Sequence, residues 1–156
     1  MSQPPTVPPF VNKMMKFMLR SSLHGLVSKF TLLITFTGLK SGKTYTTPVS
    51  YSQSNDKVTI FTHANWWQNL RGGAPVTLHL RGQDIQGVAE PVAEDKQVIA
   101  AALAAHLRQV PSDAKYYDVT FDDQKNPRME EVEKAVQNVV MIRVQLYETP
   151  VEVIAG

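Results

Sequence analysis

The chain has 156 residues, 43% of them apolar and 19% charged, a balance that suits a globular fold and argues against fibrous or disordered classes. It contains no cysteine, which excludes disulfides, thiolate nucleophiles, cysteine-ligated zinc and iron–sulfur clusters. The net charge of +2 conceals two unlike halves: residues 1–82 carry nine Lys/Arg against the single acid Asp56, and residues 83–156 carry seven against thirteen acids, so the basic half suits an anionic ligand or surface.

The first nine residues, MSQPPTVPP, hold four prolines and no core-like pattern, which predicts a poorly ordered lead-in over residues 1–11. Lys13, Lys16 and Arg20 interrupt any signal-peptide core, so a cytoplasmic setting is expected. From Asn12, a candidate N-cap, to His24, the residues Val11, Met14, Met15, Met18 and Leu19 recur at helical spacing among those bases. This basic amphipathic helix over 12–24 has two readings, packing on its own core or touching a membrane surface. Residues 30–37 (FTLLITFT) and 44–51 (TYTTPVSY) read as strands, with Pro48 arguing for an edge or a bulge. Asn55-Asp56 marks a turn into a third strand, 57–63, and Asn65 is placed to cap a short helix. Residues 75–81 alternate, with Val76, Leu78 and Leu80 on one side and Thr77, His79 and Arg81 on the other. Arg81-Gly82-Gln83-Asp84 is a hairpin signal, and 84–92 returns.

The second half begins with a predicted helix from Glu94 to Val110, its stripe drawn through Val98, Ala101, Ala102, Ala105 and Leu107, and Pro111 ending it. A helical turn over 113–118, an acidic loop (FDDQKNP), a helix over 130–137 and a final strand over 138–147 follow. Hairpins with helices set to one end predict an α+β fold, a small barrel of about six mostly antiparallel strands with flanking helices. Residues 12–156 are expected to form one domain.

Two stretches carry candidate chemistry. Gly38-Leu39-Lys40-Ser41-Gly42-Lys43 sets two glycines, two lysines and a hydroxyl in a turn between strands. Such a turn can aim backbone N–H groups at phosphate oxygens, although a hairpin with solvated lysines has the same composition. It is not a Walker loop, because a strand rather than a helix follows. His63-Ala64-Asn65-Trp66-Trp67-Gln68-Asn69-Leu70 is the other, with paired tryptophans suited either to a core anchor or to covering a planar ligand. His24, His63, His79 and His106 lack metal-ligand spacing, and no nucleophile elbow or nucleic-acid signature appears; neither a metal nor a nucleic-acid partner is expected.

Thr37 to Tyr51 (TGLKSGKTYTTPVSY), Asn65 to Leu70 (NWWQNL) and Pro75 to Leu78 (PVTL) together resemble the deazaflavin-dependent nitroreductase family. These are split β-barrel oxidoreductases related to the pyridoxamine-phosphate-oxidase-like FMN-binding barrels. The resemblance implies cofactor contacts to phosphate at Lys40, Ser41 and Gly42, with Lys43 close by. It implies further contacts along the ribityl chain and ring at Thr46, Thr47 and Pro48, and at the ring edge at Thr62, His63 and Ala64. Trp66 and Asn69 would close the pocket, and Tyr116 and Tyr117 would lie over the substrate. The implied activity is hydride transfer from a reduced deazaflavin (coenzyme F-420) to a quinone-like or nitroaromatic acceptor, in a homodimer. Leu39 stands where the family usually has arginine and Tyr45 near its second one, which leaves an FMN-binding or non-catalytic barrel for another planar ligand as the alternative.

Overall fold

The computed structural model describes residues 30–147, so the expected lead-in at 1–11 and the helix at 12–24, with its membrane reading, lie outside the described residues. Six strands are present: β1 (Thr31–Thr37), β2 (Thr44–Ser54), β3 (Lys57–Thr62), β4 (Ala74–Leu80), β5 (Gln83–Val92) and β6 (Val140–Leu146). They close a barrel in the order β1-β2-β3-β6-β5-β4, with antiparallel pairing throughout. Helices α1 (Lys96–Gln109) and α2 (Met129–Ala135) lie against it, with 3-10 helices at Asn65–Leu70, Pro111–Tyr117 and Val136–Asn138. This is the α+β split-barrel class predicted from the pattern. Among the described residues no helix is long and apolar enough to cross a membrane.

Period-two alternation builds the barrel interior. Leu32, Ile34 and Phe36 of β1, Val76, Leu78 and Leu80 of β4, and Ile142, Val144 and Leu146 of β6 fill it. A second core lies outside the wall, where Phe61 of β3 and Met141 of β6 meet Ile99, Leu103 and Leu107 of α1 and Val132 of α2. Strands β3 and β6 are therefore apolar on both faces near this layer, which is why their alternation is weak in the sequence.

Several local expectations are corrected. The buried stripe of α1 is Ile99, Ala100, Leu103, Ala104 and Leu107, with Ala101 and Ala105 exposed. The larger side chains at i, i+4 and i+8 decide the helix's rotation, since alanines contribute little area. Asp95, not Glu94, begins this helix, its side chain accepting from Val98 N at 3.2 Å. Asn65 does not cap: Ala64 holds that position, without a side-chain bond, and the segment is a 3-10 helix. The final strand starts at Val140, because Val136–Asn138 is a 3-10 turn. Strand β2 runs on to Ser54, and Pro48 lies well inside it.

Candidate functional site

The turn over residues 38–43 joins β1 to β2 and is closed by its own backbone. Gly38 N donates to Lys43 O at 2.8 Å and Gly42 N to Gly38 O at 2.9 Å. Gly42 takes φ +69°, a conformation that L side chains seldom adopt. Ser41 Oγ accepts from Lys43 N at 3.1 Å and shares a 3.2 Å bond with the Tyr45 hydroxyl. Lys40 and Lys43 remain exposed at the tip. Asn69 ties this turn to the 3-10 helix Asn65–Leu70: its Oδ1 accepts from Leu39 N at 3.0 Å, and its Nδ2 donates to Trp66 O at 2.9 Å. The two stretches singled out from sequence are thus neighbours.

That 3-10 helix plugs the barrel's end. Leu70 is fully buried in the interior, and Trp66 and Trp67 both pack on it. Trp66 stacks on Phe36 with centroids 5.1 Å apart, and Tyr45 stacks on Phe36 at 5.7 Å. Arg71 lies over the Trp67 ring at 5.1 Å. Both tryptophans are therefore core anchors first, and they do not divide into one core ring and one pocket ring.

Beside this plug the wall opens. Among the described residues, the β2–β3 ladder runs only from Tyr51↔Ile60 to Ser54↔Lys57, while residues 44–50 of β2 pair with β1 alone. Tyr51 N donates to Phe30 O, so alternation along the strand turns the backbone groups of Thr46, Pro48 and Ser50 toward the gap between β2 and β3. Proline has no N–H to donate, so its tolerance at an inner position of β2 follows from this local edge. The gap begins at the Lys40–Lys43 turn and extends along seven residues of β2, about 23 Å at strand rise. Its far side is the end of β3, where Thr62 Oγ1 accepts from Ala64 N at 3.0 Å and bends the chain out at His63.

A polar cluster lies at the closed end of the gap. The Ser50 hydroxyl donates to Asp113 Oδ2, and the same oxygen lies 2.8 Å from His106 Nε2. His106 is buried in α1 with its ring edge against Phe61, and its Nδ1 meets no hydrogen-bond partner among the described residues. These contacts assign the Nε2–H tautomer. Both Ser50 and His106 bond the carboxylate rather than each other, so this is not a nucleophilic triad. Tyr117 stacks on the exposed ring of His63 with centroids 5.5 Å apart. Burial first, and the Asp113 charge second, hold its phenol above the ordinary range, so Tyr117 is a neutral donor at physiological pH.

The structure gathers Lys40, Ser41, Gly42, Lys43, Trp66 and Asn69 at the start of β2, and His63, Tyr117 and the end of β3 beside its middle. It does not gather all the rest. Thr47 pairs with Ile34 and shares the barrel-facing side, while Thr46 and Pro48 pair with Thr35 and Leu33 on the outer side. Thr46 Oγ1 bonds Thr35 Oγ1 at 2.9 Å. Tyr116 is 51% exposed beneath Lys115 and away from the stack. Ser50, His106 and Asp113 were not singled out from the sequence. Another groove, on the outer face of β3, β6 and β5, is lined by Lys57, Thr59, Glu90 and Arg143 and shares none of these residues.

The elongated gap is cationic at one end and bears a phenol and an imidazole at the other. The family model described as F420H(2)-dependent quinone reductase matches residues 16–133. No curated protein matches the chain at a significant level. Among solved structures, the heme storage protein HutZ of Vibrio cholerae is 12% identical, with TM-score 0.53 over 88% of this chain and 90% of that one. An F420-H2 dependent reductase (FDR-A) is 18% identical, with TM-score 0.50 over 75% of this chain and 95% of that one. A protein described as a domain-swapped dimer is 16% identical, with TM-score 0.50 over 86% and 95% of the respective chains. These structures share the barrel fold.

Proposed function

The chain belongs to the F420H(2)-dependent quinone reductase family, and from that premise we propose that it passes hydride from a reduced deazaflavin to a quinone-like or nitroaromatic acceptor. The observation that carries this reading is the open edge of β2, which runs from the lysine turn to the His63–Tyr117 stack. When bound, the deazaflavin supplies the two-electron hydride chemistry. The chain supplies binding and orientation. Lys40 and Lys43 neutralise the anionic phosphate and tail, and Gly42 opens the turn toward them. Ser41 holds the shape of that turn through Lys43 N and Tyr45. Backbone N–H groups of Thr46 and Ser50 face the gap as donors to a polar ring edge, beside Thr62 and Ala64. Thr47 and Pro48 shape the strand edge, and Trp66 with Asn69 closes the end. Tyr117 donates its neutral phenol to the acceptor oxygen, with the exposed Tyr116 next to it in the chain.

The reading extends to one barrel domain over residues 12–156, a cytoplasmic setting and a homodimer, the last supported by the dimeric neighbour. FMN is the second reading for the cofactor, favoured by one observation: Tyr45, near the place of the family's second usual arginine, is committed to Phe36 and Ser41 rather than to an anionic tail.

Titration of the purified chain with deazaflavin and, separately, with FMN, followed by tryptophan and cofactor fluorescence, tests the proposal. Deazaflavin should bind, with Lys40→Ala weakening it about tenfold at low salt and less at high salt. Binding of FMN alone would replace the cofactor assignment. A response to neither would end the redox reading.

A further inference from the structure

We infer that Asp113 is a positioning residue for the acceptor side of the gap: through one carboxylate oxygen it fastens the 3-10 helix carrying Tyr117 to the open edge of β2 and to α1. This rests on the reading of the gap as the redox site. Three elements meet on Asp113 Oδ2, one of them, β2, distant in the chain. Ser50 comes from the edge strand, His106 from α1, and Asp113 itself from Pro111–Tyr117. The carboxylate is mostly enclosed, 13% exposed, and the His106 side chain is 1% exposed. Charge-assisted bonds in so dry a place hold their geometry tightly.

The His106 ring argues that more than stability is served. Leaving Nδ1 buried without a partner is unfavourable, and an apolar side chain facing Phe61 would avoid that penalty. What the imidazole adds is a rigid Nε2–H donor that fixes one carboxylate oxygen, leaving that oxygen to hold Ser50 as well. Four residues after Asp113, Tyr117 is set against His63 at the gap's mouth. The Asp113 charge also bears on the Tyr117 phenol, disfavouring its ionisation. The carboxylate thus holds the place of the phenol and, second to burial, disfavours its ionisation. Asp113 itself touches no reacting atom in this arrangement.

The test uses the full chain, with reduced deazaflavin as donor and menadione as acceptor probe. Asp113→Asn keeps an acceptor oxygen and removes the charge. It should raise the KM for menadione about tenfold while deazaflavin affinity changes by less than about twofold. Ser50→Ala should give a smaller rise in the same direction, and Ser50→Thr should restore it. An ultraviolet titration of the tyrosines gives a readout that needs no turnover: burial delays the ionisation of both Tyr51 and Tyr117, so the late-ionising phenol that vanishes from the curve in Tyr117→Phe is the one that should titrate at lower pH in Asp113→Asn. Unchanged KM and an unchanged tyrosine titration, with stability alone reduced, would overturn the inference and leave Asp113 a structural tie. If the wild-type chain binds no deazaflavin, the redox reading falls and this inference falls with it; if it binds and turns over while Asp113→Asn leaves the KM for menadione unchanged, the inference alone falls.

Discussion

Asn69 and Asp113 each join two pieces of the proposed site with one short polar group. Asn69 uses both ends of its amide, one on the lysine turn and one on the barrel plug, and Asp113 uses a single oxygen twice. Sequence reading reached Asn69 because it lies within a motif. It missed Asp113, whose partner Ser50 is 63 positions away, since no local pattern records such a contact. A third junction has a pH signature. Glu131 Oε1 accepts from both Thr120 N and Thr120 Oγ1 at 2.7 Å, and these bonds lower its pKa below the ordinary 4.5. A group whose folded pKa is depressed stabilises the fold above its unfolded value and ceases to do so as pH falls through the folded one. Glu131→Gln should therefore melt below wild type at pH 7, with the difference closing in acid below about pH 4.5. Thermal unfolding of both chains across that range checks it; a constant gap would assign Glu131 no charge-dependent role.

At the scale of elements, the departure of β2 from β3 makes the proposed site. A strand paired on both sides along its length would bury its N–H groups in ladders and leave no polar edge for a ligand. Pro48 announced this edge in the sequence, although proline alone does not say which neighbour is missing. The strands, their hairpins and the barrel class were legible because alternation and turn residues are local signals. The rotation of α1 was not, since a helix rich in alanine presents several plausible faces and its partner layer comes from β3 and β6. The opposite side of the barrel closes tightly. A Cβ on Gly87 of β5 would lie 2.6 Å from Gln145 O and 2.9 Å from Val144 Cγ1 of β6. Gly87→Ala should force these strands apart and destabilise the chain by about 1–3 kcal/mol, read from urea unfolding. Stability within about 0.5 kcal/mol of wild type would mean that the strands yield freely there.

At the scale of the molecule, two cores share one wall. The interior core, plugged by Trp66, Trp67 and Leu70, fixes the barrel; the outer core holds α1 and the Pro111–Tyr117 helix over the end of β3. Among the described residues the outer layer stops at this gap, so the fold itself sets the distance between the lysine turn and Tyr117. The charge asymmetry seen in the sequence acquires a place here: Lys40 and Lys43 stand at the tip of the β1–β2 turn, while Lys57 and Arg143 line a separate groove. The motifs made the cationic end of the site legible. The proposed acceptor end depended on contacts among β2, α1 and the 3-10 helix that only the folded chain assembles. A crystal structure of the chain with deazaflavin bound tests the central claim most directly. The account predicts the ring between the β2 edge and the His63–Tyr117 stack, with the phosphate at residues 40–43. A ring seated in the groove of Lys57, Glu90 and Arg143, or a phosphate away from the β1–β2 turn, would contradict it.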